Sequence, residues 1–294
     1  MDKTSRMRPV ALAALLAMTL VAGCLGDDDG ERDDAAGGTA QDEAPNATEL
    51  LTYDATGCSL AVSVLLRDLD HLAGFLPEPF RPADAQGLLG TPVPVGQGGV
   101  LATTYTCEDS VFLGGPLAGA EINILVADPG LDADASQVTT HYYLAKLYLP
   151  ASAALDRFAT DGWDVQSADE ITNQADALLG GTVRSGDVVA NGTLAYGMEV
   201  QGAAPSTLAG ISRFWQVTPG GPSWFDYDVA AEVNLGTSLI TWEAGGFLDG
   251  LQADGSALSA TAPLEVPGIA VPSFDWQATY RPPGPVPAPA ATSS

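Results

Sequence analysis

The chain has 294 residues, with 37 acidic against 11 basic side chains, a formal net charge of -26, 33 Gly, 21 Pro, three Cys and two His. Only two Lys and nine Arg are present, too few to form the basic surface that a phosphate backbone demands, so nucleic acid is excluded as a partner. Hydrophobic residues make up 46%, enough for the core of one large β-rich domain and too many for a wholly disordered chain.

The first residues read as an export signal. Lys3, Arg6 and Arg8 form a basic leader, Val10 to Val21 is an apolar run broken only by Thr19, and Ala22 and Gly23 precede Cys24. The run is too short to span a bilayer, which takes roughly 20 apolar residues. Val21-Ala-Gly-Cys24 resembles the lipobox of bacterial and archaeal lipoproteins. That resemblance implies cleavage after residue 23, lipidation of Cys24, and attachment to the outer face of the cell membrane.

Residues 24–48 then carry Asp27-Asp-Asp29 and Asp33-Asp34 among Gly, Ala, Thr and Pro. Such a segment cannot bury enough apolar area to offset its chain entropy and is expected to be a disordered tether. Residues 1–49 hold 10 acids and four bases, so the remainder still carries 27 acids against seven bases. An acidic, Lys-poor domain of this kind resembles proteins of salt-loving archaea, where the Debye length is about 3 Å at 1 M salt and like-charge repulsion is screened. One globular domain is expected over residues 49–280, followed by a Pro-rich tail over residues 281–294.

With Cys24 assigned to lipid, Cys58 and Cys107 remain as an even pair in an exported chain and are expected to form a disulfide. Neither has the spacing of a zinc site, and no cofactor is expected. Asn46-Ala-Thr48 and Asn191-Gly-Thr193 fit the glycosylation acceptor pattern, which predicts exposed loops. Asp132-Ala-Asp134-Ala-Ser136 has the start of a calcium loop but lacks its Gly and terminal Glu, and reads as a surface loop.

Inside the domain, alternation of period two prevails, which predicts half-buried strands. It runs through Leu60, Val62 and Val64, then Val100 to Thr106, Ala120 to Val126 and Val138 to Leu149. Further strands are expected at Thr182 to Val189, Thr193 to Gln201, Ile211 to Val217, Trp224 to Val233, Ser238 to Ala244 and Ser273 to Tyr280. Short helices are expected at Arg67 to Leu76 and Ala151 to Asp161, the second stopped by Gly162. The fold class is mainly β (α+β): a curled antiparallel sheet or β-barrel with two or so short helices at its rim.

Several segments follow one another in a recognisable order: Leu76-Pro-Glu-Pro-Phe-Arg-Pro-Ala-Asp84, a strand ending near Cys107-Glu108, Glu121-Ile-Asn-Ile-Leu-Val126, Tyr142-Tyr143, and the helix ending at Gly162. Over about Leu66 to Val165 this resembles the acetoacetate-decarboxylase-like family, which implies a curled β-barrel around a central cavity. The family's Schiff-base lysine lies in a Gly-Phe-Pro-Lys segment just after this helix. The matching stretch here is Gly162-Trp163-Asp164-Val165, without a lysine, so the resemblance implies the fold and not the decarboxylase activity.

Lys146 is the only lysine after residue 23. Strict alternation places it on one strand face with Tyr142 and Tyr148, and Glu121 follows on the preceding strand. In a dry cavity such a lysine would be a nucleophilic amine, with Glu121 as acid or base; on a solvent face it would merely pair with carboxylates. No serine-hydrolase elbow, zinc-protease helix or phosphate-binding glycine loop is present. Three readings stay open: a lipid-anchored, non-catalytic domain binding a small molecule in its cavity, a Schiff-base enzyme acting on a keto acid through Lys146, and a surface protein-interaction module.

Overall fold

The computed structural model describes residues 51–86, 93–110, 115–132, 137–178, 181–251 and 263–284. The signal segment, Cys24, the tether, Asn46, residues 133–136 and the end of the tail lie outside them.

Seven strands form a ring. β1 (Leu51–Asp68) pairs antiparallel with β2 (Gln97–Cys107), β2 with β4 (Leu117–Val126), and β4 with β5 (Val138–Pro150). On its other side β1 pairs antiparallel with β12 (Leu264–Arg281), β12 with β11 (Gly221–Trp242), and β11 with β10 (Thr193–Thr218). The ring closes where Ile211–Trp215 of β10 runs parallel to Val138–Tyr143 of β5. The sheet is therefore mixed, a departure from the expected all-antiparallel arrangement. A two-residue β3 (Asp109–Ser110) pairs with β1, and β6 (Val165–Ala168) lies parallel to β5. β7 (Glu170–Ile171), β8 (Gln174–Leu178) and β9 (Gly181–Ala190) extend the sheet beyond β10.

The four separate strands expected between residues 193 and 244 are two long ones. β10 and β11 stay paired from Thr218↔Gly221 to Tyr196↔Trp242, with one register shift at Gly202/Ala204. Pro205 is tolerated inside β10 for a positional reason. β9 pairs with β10 only as far as Gly202 and β5 joins only at Ile211, so the stretch between has a partner on one side alone. A stretch with one open side is where a strand accommodates proline.

These long strands serve two layers. At the ring end they complete the wall. At the other end, Tyr196, Met198, Val200, Ile240 and Trp242 pack onto the outward-facing Ala61, Val100, Ala102, Ala120 and Ile122 of β1, β2 and β4. The Tyr196 hydroxyl donates to the Thr103 carbonyl at 2.7 Å, and the Ser63 and Ser238 hydroxyls meet at 2.7 Å. The ring wall is thus covered on one outer side, while its inner face holds separate aromatic and aliphatic clusters.

Three short helices occur among the described residues. α1 (Leu69–Ala73) is shorter than expected, because Arg67 and Asp68 continue β1 in register with Gly98 and Gln97. α2 (Ala153–Thr160) starts where the Ser152 hydroxyl accepts the Leu155 N–H at 3.3 Å. It ends before Gly162, whose φ of +83° suits a residue without a side chain. α3 (Phe247–Gly250) buries Leu248. Cys58 and Cys107 form the expected disulfide between β1 and β2. Asn191 and Gly192, at φ 52° and 74°, make the exposed two-residue turn between β9 and β10, where Asn-Gly is the favoured pair.

Candidate functional site

The inside of the ring contains a cavity lined from all seven of its strands. Tyr53 comes from β1, Tyr105 from β2, Leu117 and Glu121 from β4, and Leu144, Leu147 and Leu149 from β5. Phe214 comes from β10, Phe225 and Tyr227 from β11, Trp276 and Ala278 from β12, and Phe158 of α2 completes the lining. Its free space is about 30 Å³, room for roughly two water molecules.

Glu121 is the acidic residue of this cavity and is 6% exposed. Burial pushes its carboxyl above the usual carboxylate range, because the charged form loses its hydration. Hydrogen bonds from Asn123, Tyr105 and Tyr227 oppose that shift; the Asn123 Nδ2 bond measures 3.0 Å. The two phenols are in turn pushed upward, first by their own burial and then by the Glu121 charge. Gly119, opposite Tyr105 in the β2–β4 ladder, makes this geometry possible: a Cβ there would overlap the Tyr105 hydroxyl.

Sequence alternation put Tyr142, Lys146 and Tyr148 on one face; the structure separates them. Leu125 pairs with Tyr142 and Asn123 with Leu144, but Ile122 then pairs with Lys146 and Glu121 with Leu147. One extra residue on β5, at Ala145, is a β-bulge that reverses which alternate residues face inward. Tyr142 stays inside, stacked on Phe214 at 5.0 Å, and burial pushes its pKa upward. Leu147 takes the place opposite Glu121. Lys146 turns to the other face, where its Nζ meets the Asp164 carboxylate oxygens at 2.8 and 2.9 Å. Tyr148 packs edge-on against Tyr196 at 6.0 Å; burial and the charge of Asp164 push its pKa up to about 12.

Across the inner wall Glu121 pairs with Leu147, and Leu147 with Val165 of β6. Val165 is the residue that falls at the lysine position of the Gly-Phe-Pro-Lys pattern. Its neighbour Trp163 is buried between Phe158 and Phe225, with its indole N–H donated to the Ser223 hydroxyl at 3.0 Å. Among the described residues, no Lys, Arg or His lines the cavity.

The histidines are engaged elsewhere. His141 accepts the Trp215 indole N–H at 3.1 Å and is lowered in pKa by burial, while the His71 ring contacts the Leu251 carbonyl at 3.2 Å. Among the described residues, no group of three His, Cys, Asp or Glu converges as a metal site would require. Tyr53, Tyr105, Phe214, Tyr227 and Trp276 were not legible as lining residues. Tyr105, Phe214, Tyr227 and Trp276 lie on strands that the alternation predicts, but the inward face is defined only once the ring has closed.

No family model and no curated protein sequence matches the chain. Solved structures do match in fold. The enduracididine biosynthesis enzyme MppR complexed with pyruvate is 13% identical with a TM-score of 0.52, over 82% of this chain and 91% of that one. An acetoacetate decarboxylase-like enzyme from Sphingomonas wittichii RW1 is also 13% identical, with a TM-score of 0.47 over 85% and 98% of the two chains. The acetoacetate decarboxylase from Legionella pneumophila is 11% identical, at 0.47 over 83% and 90%. The chain shares the fold of the enduracididine biosynthesis enzyme MppR.

Proposed function

We propose that this protein is a lipid-anchored, extracytoplasmic domain that binds a small molecule in its ring cavity without covalent catalysis. The observation that carries the reading is the row Glu121–Leu147–Val165 across the inner wall. A Schiff base needs an amine beside the carbonyl it attacks. Here Leu147 and Val165 occupy the wall, and Lys146 is engaged with Asp164 on the opposite face. The site keeps an acid able to hold or accept a proton and lacks the nucleophile.

The lipobox-like Cys24 supports attachment to the membrane through lipid, and the acidic tether keeps the domain clear of an anionic lipid surface. The Cys58–Cys107 disulfide fits an oxidising compartment. Tethering near a membrane raises the effective concentration of a captured ligand for any membrane partner.

Borohydride reduction in the presence of pyruvate or acetoacetate, followed by intact-mass measurement, tests the non-covalent reading. The mass is expected to stay unchanged. A reduced adduct mapped to Lys146 would restore the Schiff-base enzyme in its place.

A further inference from the structure

The cavity combines aromatic faces with one acidic group. Seven aromatic rings line it together with Glu121. Aromatic faces carry the negative side of a quadrupole and attract cations that shed water readily. Glu121 adds a carboxyl group that accepts from three donors while its burial, the larger effect, raises its pKa, so that a bound cation would favour its ionised form.

Among the described residues, the buried Arg213 and the half-buried Lys146 are paired with carboxylates, while the buried Arg184 meets only the Asn173 amide oxygen and the Pro272 carbonyl. Arg213 holds Asp226 and Asp132, and Lys146 holds Asp164. Glu121 has no cationic partner among the described residues. Two residues further along the same inward-facing side of β4, the buried Asn123 Oδ1 is an acceptor without a donor. A buried carboxyl group without a counter-ion, once ionised, calls for a positive hydrogen-bond donor.

We propose that the ring cavity binds a small alkylammonium ion, with its charge set between Glu121 and the aromatic faces. This rests on the ligand-binding reading above and names the ligand's class. A keto-acid anion would meet Glu121 with no compensating cation in the lining. A sodium ion is a poor fit, because one carboxylate in an aromatic chamber cannot replace the oxygen shell that a hard cation sheds. The free space of about 30 Å³ suits a ligand the size of methylammonium.

Calorimetric titration and thermal shift with methylammonium chloride, acetone and sodium acetate, at fixed high sodium chloride, separate charge from size. Methylammonium is expected to bind one to one and raise Tm, with acetone and acetate inert. Glu121→Gln should weaken methylammonium binding at least tenfold, with folding checked by circular dichroism. Phe214→Leu removes one aromatic face without touching the Glu121 hydrogen bonds. It should weaken binding severalfold and keeps the test informative if Glu121→Gln does not fold. Binding of acetone or acetate in place of methylammonium would overturn the cation class and leave a ligand cavity standing. Methylammonium binding that survives both substitutions would place it on the acidic surface and overturn the proposal. No binding of any probe would overturn the cavity's ligand role as well.

Discussion

Glu121 faces Leu147 across the β4–β5 ladder; had the Asn123–Leu144 register continued past Ala145 without a bulge, it would face Lys146. The registers on the two sides of the bulge differ by one position, and that one position decides whether the cavity contains an amine. An enzyme-like constellation of acid and lysine, apparent from alternation, is thereby divided between the two faces of the sheet.

Leu147→Lys should restore the missing group. An amine there would sit in an apolar wall beside Glu121, with burial lowering its pKa and favouring the nucleophilic form. Loss of leucine packing and burial of a polar head should cost about 2 kcal/mol or more. The folded variant is expected to give a borohydride-reducible adduct with pyruvate at the introduced amine, where the parent chain gives none. Peptide mapping decides it, and an unmodified position 147 in a folded variant counts against the assigned register.

Glu121 should leave a signature in the pH dependence of stability. Its native pKa lies above the ordinary value of 4.5 because of burial, so between those two values the native state holds a proton that the unfolded chain has lost. Unfolding free energy then falls as pH rises through this window, and the contribution is fully present only below pH 4.5. Glu121→Gln cannot titrate. Urea unfolding from about pH 4.5 to about pH 7.5 at fixed high salt should show the parent losing stability relative to this variant as pH rises. A constant difference would mean that the carboxyl is not desolvated.

Arg213 and Lys146 should differ sharply in worth. Arg213 is 5% exposed, meets Asp226 at 2.6 Å and Asp132 at 2.5 Å, and lies 4.7 Å from the Trp224 ring centre. Arg213→Met leaves its carboxylate partners without that guanidinium and should cost about 3–5 kcal/mol. Lys146 pairs with an Asp164 that is 59% exposed, so Lys146→Met should cost less than about 1 kcal/mol. Denaturant midpoints at one salt concentration compare them directly. Equal costs would contradict the burial difference.

Cys24→Ser tests the anchor. The substitution should release the protein to the medium or stall its processing, while the folded domain, whose first described strand begins at Leu51, keeps its stability. Membrane fractionation with intact-mass measurement gives the answer. Normal processing with retained membrane attachment would point to another means of anchoring.

Local rules sufficed for the β-rich class, most strand positions, the Asn191-Gly192 turn, the stop of α2 at Gly162 and the Cys58–Cys107 pair. Those rules are period-two alternation, turn chemistry and an even cysteine count, all readable along the chain. The element order also carried the likeness in fold. Pairing between distant strands set the remainder. Pro205 and its small neighbours read as a break, yet β10 runs through them because β11 supplies a continuous partner while the other side is open. The bulge at Ala145 has no proline or glycine to announce it; it arises from pairing with β4 and reverses the faces of Lys146 and Leu147. Ring closure by the parallel β5–β10 contact then makes Tyr105, Phe214, Tyr227 and Trp276 neighbours of Glu121. The inside of a closed sheet is set by contacts between strands far apart in sequence, and the alternation of a single strand shows only that it has two faces.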